Sequence, residues 1–330
     1  ARLLSSPEDL PDALNEALFA IDGLACAKGQ EELERAIAHA GLAVDFSPDS
    51  TSAELALQVW LSDPVLVART YNRQRFRRLS AFEHFGCSLP AGERRAPTQP
   101  TPAIADQLAL ALDPWFARHH RGQNTTRVEL YPLNGEYWFL IRHGDTFSRT
   151  PKVDAQRTEI LHFRPERDDV VVYSPEHDEL RINARTKSER GLYVRQLGVC
   201  LHGRDDYFGV SWTYTLEPLR LEGVSALEPN GIAGIDKVVL REVEIAWNAN
   251  GREVLTRAAD DLFQNASDDA GVAGPIPQDG SLCRAAFDFH FADQPQPRPV
   301  QIRVPNMIKL GRHCDLQLVD RWLCERGFRR

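Results

Sequence analysis

The residues best suited to chemistry stand together between Trp138 and Arg149, where the apolar pair Leu140-Ile141 runs into Arg142, His143, Gly144, Asp145 and Thr146. An imidazole can attack an electrophile or carry a proton, and a guanidinium neutralises anionic oxygens through a planar fork of donors. A histidine nucleophile working on a phosphate needs clustered positive charge, because the group it attacks is itself an anion. Arg142 beside His143 supplies the beginning of such a cluster.

The string Leu140-Ile141-Arg142-His143-Gly144-Asp145-Thr146 resembles the opening motif of the histidine phosphatase superfamily, in which a strand delivers an Arg-His-Gly-x-Thr turn to a phosphate. The resemblance implies that His143 is the nucleophile and Arg142 a phosphate ligand. It also implies that His202, in Leu201-His202-Gly203, is the second histidine of the pocket. In that family the motif follows the first strand of a parallel sheet and leads straight into a helix. Here it lies on the second arm of a hairpin, and the stretch after it, Phe147 to Gln156, contains Pro151 and no amphipathic stripe. In this setting Gly144 makes a turn and His143 hydrogen-bonds locally at a strand end.

Two other constellations are visible. Glu166, Asp168, Asp169, Glu176, Asp178 and Glu179 crowd around a hairpin with Arg181 and Lys187 nearby, the raw material of a metal-dependent nuclease. Their spacing follows strand edges and a turn, and no Asp followed by Glu-x-Lys emerges, so no metal ligand is assigned. Arg69, Arg73 and Arg77 recur at helical spacing, joined by Arg75 and Arg78 and interleaved with Tyr71, Phe76, Phe82 and Phe85. Guanidinium groups suit phosphates and aromatic rings stack on bases, so Arg69, Arg73, Arg77 and Arg78 form a candidate nucleic-acid contact. The same arginines would also serve as a solvated face or as partners for acidic helices. No phosphate-cradling or dinucleotide-binding glycine loop is present, and no cofactor is expected.

The 330 residues suffice for two or three compact units. The longest apolar runs fall well short of the roughly 20 residues that span a bilayer, so no membrane contact is expected and a cytoplasmic location is the default. The six cysteines form no C-x-x-C pair and read as reduced thiols. Arginine outnumbers lysine in a manner suggestive of a bacterial genome. Residues 1–63 hold twelve acidic and three basic side chains, whereas the remainder is close to neutral.

The elements that must position these residues follow from periodicity. Ser6 caps an expected first helix, Leu33 and Ile37 mark a second that ends at Gly41, and Thr51 with Glu54 forms a capping box for a third. Asn134-Gly135 between two apolar runs is a hairpin signal, and strands at 159–163, 170–173 and 180–183 extend it into an antiparallel meander. Thr186 and Glu189 form a second capping box, opening a helix whose face carries Tyr193, Leu197 and Leu201. A second Asn-Gly turn, Asn250-Gly251, follows later. The expected fold class is α+β: an N-terminal helical bundle, then a mixed, mainly antiparallel β region with covering helices. The expected organisation is a helical domain at 1–87, a Pro-rich connector at 88–101, an α+β domain at 102–216 and a C-terminal β-rich segment at 217–330. The function expected from these readings is a non-catalytic recognition or assembly subunit in a bacterial cytosolic system, contacting another protein or nucleic acid. The alternative is a phosphate-ester hydrolase, either histidine-phosphatase-like or a metal-dependent nuclease.

Overall fold

The computed structural model describes residues 10–44, 50–76, 78–154, 157–229, 231–247, 253–268, 276–311 and 315–330. The chain divides into two compact units, one being the segment that ends at Leu79 and the other comprising Ser80–Gly311 with Asp315–Arg330. The first is a bundle of four helices: α1 (Asp12–Leu24), α2 (Ala27–Ala40), α3 (Ser52–Ser62) and α4 (Pro64–Phe76). Leu24, Leu33, Leu55, Val59 and Val67 fill its core. The Thr51–Glu54 capping box starts α3, and Gly41 ends α2 at φ 63°, a left-handed conformation that costs glycine little. The expected cap at Ser6, the Asn250-Gly251 turn, Arg77 and Cys314 lie outside the described residues. The other five cysteines are free thiols.

The second unit begins with β1 (Ala81–Cys87), α5 (Pro102–Arg118), β2 (Arg127–Leu133), β3 (Glu136–Gly144), β4 (Ser148–Asp154), β5 (Arg157–Phe163), β6 (Glu166–Ser174) and β7 (Glu179–Asn183). It continues with α6 (Lys187–His202), β8 (Phe208–Val210), α7 (Pro218–Leu221), β9 (Ile235–Trp247), β10 (Glu253–Ala258), α8 (Leu262–Asp268), β11 (Ser281–Phe291), β12 (Arg298–Arg303), β13 (Met307–Leu310) and α9 (Leu316–Glu325). Eleven strands form one sheet in the order β10-β9-β11-β12-β13-β1-β7-β6-β3-β2, with β8 added beside β1. Its neighbouring strands run antiparallel. No helix among the described residues is long and apolar enough to cross a membrane. The chain is thus α+β, a helical bundle followed by an antiparallel β region with flanking helices.

The sheet places three boundaries differently from the sequence reading. Residues 81–87 are a strand between β13 and β7, so the helical unit ends at Leu79 and not at residue 87. Glu83 and His84 obscure that strand in sequence, and each is matched by a residue distant in the chain: Arg190 for Glu83, and Glu179 with Tyr214 for His84. The segments 102–216 and 217–330 share one sheet instead of forming separate domains, because β1 pairs with β13 on one side and with β7 on the other. Residues 88–101 link β1 to α5 within that unit. The strand at 157–163 is not part of the meander: β4 and β5 pair only with each other, and β3 pairs directly with β6. Asn134 and Gly135 take φ values of 52° and 82° between β2 and β3, as a two-residue turn with both centres left-handed requires.

One face of β2, β3, β6 and β7 carries α5 and α6. Phe139, Ile141, Val171, Tyr173, Leu180 and Ile182 from the strands meet Leu108, Leu112, Phe116, Tyr193, Leu197 and Leu201 from the helices. At the sheet centre a charged group is buried deliberately well matched: Glu179 on β7 accepts from Arg329 at 2.9 Å and from His84 Nδ1 at 3.2 Å. Burial lowers the His84 imidazole below its usual range, outweighing the attraction of Glu179, and the Tyr214 hydroxyl lies 3.1 Å from its Nε2. Burial alone would raise the Glu179 carboxyl, but the contacts with His84, Arg329 and Arg181 bring it down to about 2 from 4.5. A carboxylate depressed in the fold contributes stability above its unfolded value and loses it as pH falls through the folded one. Glu179→Gln should therefore be less stable than the wild type by an amount greatest above pH 4.5 and shrinking as pH falls toward 2, measured as the difference in unfolding free energy across an acid series.

Candidate functional site

Period-two alternation on β3 sends Phe139, Ile141 and His143 toward α5 and α6. On β6 the same rule turns Asp169 inward with Val171 and Tyr173, and Asp169 lies opposite Ile141 in the ladder. Glu189 opens the stripe of α6 that continues through Tyr193, Leu197 and Leu201, spaced four residues apart. His143, Asp169 and Glu189 meet where these three elements converge. Their ligand-type atoms all lie within 4.8 Å of one another, and all three residues are buried.

The hydrogen bonds in this cluster are specific. His143 Nδ1 lies 2.8 Å from its neighbour's carbonyl, Gly144 O, and Nε2 lies 3.2 Å from Asp169 Oδ2. The Tyr193 hydroxyl donates to the same Oδ2 at 2.6 Å. Burial first, then the charge and hydrogen bond of Asp169, push the Tyr193 phenol well above its usual value, so it remains a donor. Glu189 Oε2 accepts from the Thr186 amide and hydroxyl at 2.9 and 2.8 Å, while Oε1 faces Arg121 at 3.1 Å. The His143 ring stacks on Phe116 of α5, with centroids 4.0 Å apart and planes 13° from parallel.

Arg121 connects this interior to a cationic surface, since its other nitrogen bonds Asp145. Arg167 reaches the same carboxylate at 2.7 Å and Arg185 at 3.7 Å, while Arg164 donates to the Asp145 carbonyl at 2.7 Å. Burial acts to raise the Asp145 carboxyl, but the Thr146 amide and the three guanidinium groups win and hold it below its usual range. Arg121 is placed by the turn after α5. Asp113 accepts from the amides of Asn124, Thr125 and Thr126 at 2.7 to 3.2 Å, and Thr125 Oγ1 accepts from the Gly144 amide at 3.3 Å.

The remaining sequence-predicted residues go elsewhere. Arg142, next to His143, points to the opposite face of the sheet, where it pairs with Glu129 at 2.9 Å, Asp168 at 3.3 Å and Glu166 at 3.9 Å. His202, at the end of α6, stacks on Tyr207 at 3.7 Å and packs edge-on to Tyr173. Its side chain is buried, neither ring nitrogen has a hydrogen-bond partner among the described residues, and burial holds the imidazole below its usual range. Tyr173 and Asp169 are four residues apart on β6, which separates the surroundings of His202 from those of His143 by roughly 13 Å of strand. Arg142, His143 and His202 thus share no pocket. Arg69 and Arg73 lie on α4, Arg78 is exposed just beyond it, and Phe82 and Phe85 are buried in the sheet of the other unit.

Among the acidic residues singled out in sequence, Asp169 alone enters the cluster; Asp168 faces Arg142, Asp178 accepts from Tyr207, and Glu179 pairs with Arg329. Glu189 reads in sequence as a helix cap. The sign of another role for Glu189 is a carboxylate in line with the apolar stripe Tyr193, Leu197 and Leu201. No protein-family model and no curated protein matches the chain. The geometry therefore carries the functional reading.

Gly144 serves packing: a methyl group there would overlap the Arg121 carbonyl oxygen and the Arg164 side chain. Gly144→Ala should cost about 1–3 kcal/mol through overpacking. Tyr193→Phe, which removes a hydrogen bond to a carboxylate, should likewise cost about 1–3 kcal/mol. Denaturant unfolding of both variants checks these values.

Proposed function

We propose that the second unit is a metal-dependent phosphate-ester hydrolase whose ion is held by His143, Asp169 and Glu189. The observation that carries this reading is Arg121, which touches Glu189 inside the cluster and Asp145 among the surface arginines, so that a donor set suited to a cation adjoins one suited to an anion. When Nδ1–H donates to the Gly144 carbonyl, the lone pair on Nε2 faces a carboxylate oxygen at 3.2 Å. A lone pair on Nε2 beside a carboxylate oxygen in a buried site suits a cation held by both, and a backbone-anchored Nδ1 is a common support for a metal-binding Nε2. One nitrogen and two carboxylates suit zinc or manganese better than calcium, which takes oxygen ligands alone.

Bound by these three residues, the ion would supply an activated water by lowering its pKa, for attack on phosphorus as the ester P–O bond breaks and the departing alkoxide takes a proton from solvent. Arg121, Arg167 and Arg185 neutralise the phosphoryl oxygens as charge builds on them. This reading is favoured over a non-catalytic recognition or assembly subunit because recognition alone gives no reason to bury two carboxylates and an imidazole behind an arginine cluster. A covalent phosphohistidine at His143 is not favoured, since both ring nitrogens already face acceptors and Arg142 lies across the sheet.

The test is metal content and turnover together. After dialysis against zinc or manganese the protein should retain one ion per chain, and Asp169→Asn should weaken that binding at least about tenfold. Hydrolysis of aryl phosphate mono- and diesters should stop with a chelator and return with the ion. Protein that retains neither metal and turns over neither ester in its presence would contradict the proposal.

A further inference from the structure

We propose that the β4–β5 ribbon, together with the arginines at its base, is a docking surface for duplex DNA. The ribbon leaves the main sheet between β3 and β6 and pairs with nothing else in it. Each strand has seven residues, a reach of about 23 Å, and every residue of β5 is exposed. A two-stranded ribbon of this kind is narrow enough to enter the major groove of B-form DNA, which is about 12 Å wide.

Register and charge decide between nucleic acid and a protein partner. On one face Ser148 stands opposite Phe163, Thr150 opposite Leu161 and Lys152 opposite Glu159, a mixture of apolar groups and charges of both signs. On the other face the pairs are Arg149 with His162, Pro151 with Ile160 and Val153 with Thr158, which includes no carboxylate. Val153 is 77% exposed there, an apolar contact of the type that thymine methyl groups accept. At the base, Arg121, Arg164, Arg167 and Arg185 gather around the half-buried Asp145, and Arg185 is exposed to solvent. Arg164 also lies 4.5 Å over the ring of Phe147, which is 70% exposed. Cations at the root and a carboxylate-free face along the arm complement a polyanion with a groove. The acidic groups nearby, Glu129, Glu166 and Asp168, are paired with Arg142 or Arg127 on the opposite side of β3.

The surface names a substrate class for the hydrolase, a polynucleotide phosphodiester, and in that respect rests on the preceding reading; retention of DNA does not. The experiment is fluorescence anisotropy of the full chain with a short labelled duplex, in chelator so that nothing is cleaved. Affinity should fall steeply with salt, and a ribbon variant carrying Arg149→Glu and His162→Glu should bind at least about tenfold more weakly at an unchanged melting temperature. Absence of retention at low salt, retention untouched by the ribbon variant, or single strands held as tightly as duplex would each overturn the proposal. Duplex bound through the ribbon but never cut in zinc or manganese leaves the docking surface standing and removes the polynucleotide as the hydrolase's substrate. Aryl phosphate turnover without duplex binding leaves the hydrolase standing and removes the docking surface.

Discussion

The second unit depends on matching polar groups that the fold cannot leave unpaired. The face of the sheet under α5 and α6 is otherwise aliphatic and aromatic, yet His143, Asp169 and Glu189 all point into it. Burying a carboxylate without partners would cost several kcal/mol, so each must find donors within reach. Tyr193, Thr186 and Arg121 provide them, and in doing so they fix the position of α6 on the strands and of the turn after α5 against Gly144.

That requirement gives the Arg142-His143-Gly144 run a different physical meaning from the one its letters suggest. A phosphate pocket would need the arginine and histidine to converge, but successive residues on a strand face opposite ways. His143 is drawn into the interior, Arg142 is left with the acidic residues of the outer face, and Gly144 lets the backbone of Arg121 pass.

Much of the architecture was legible because it rests on local chemistry. Capping boxes at Thr51 and Thr186, the left-handed glycine at Gly41 and the Asn134-Gly135 turn depend on residues within a few positions of one another, and each reads directly from spacing. β1 was not legible, since its polar residues are paid for by Glu179, Tyr214 and Arg190, which lie about 100 residues or more along the chain. The site divides in the same way. His143 stood out by type, and Asp169 belonged to a visible acidic group. Glu189 was hidden, because one of its oxygens performs the capping role that fully accounts for it in sequence, while the other faces Arg121 and the cluster.

Topology explains why the cationic surface lies where it does. β3 and β6 are antiparallel neighbours, so the exit of one and the entry of the other share an edge of the sheet. A tight turn would have joined them there; instead the chain continues outward as β4 and returns as β5. The detour leaves Asp145 on one side of the ribbon's base and Arg164 and Arg167 on the other, close enough for Arg167 to bond Asp145. Arg121 arrives from the end of α5 and Arg185 from the approach to α6, both drawn to the same carboxylate. One aspartate therefore organises charges from four segments at the foot of a projecting arm, and its attachment through Arg121 to Glu189 ties that surface to the buried cluster.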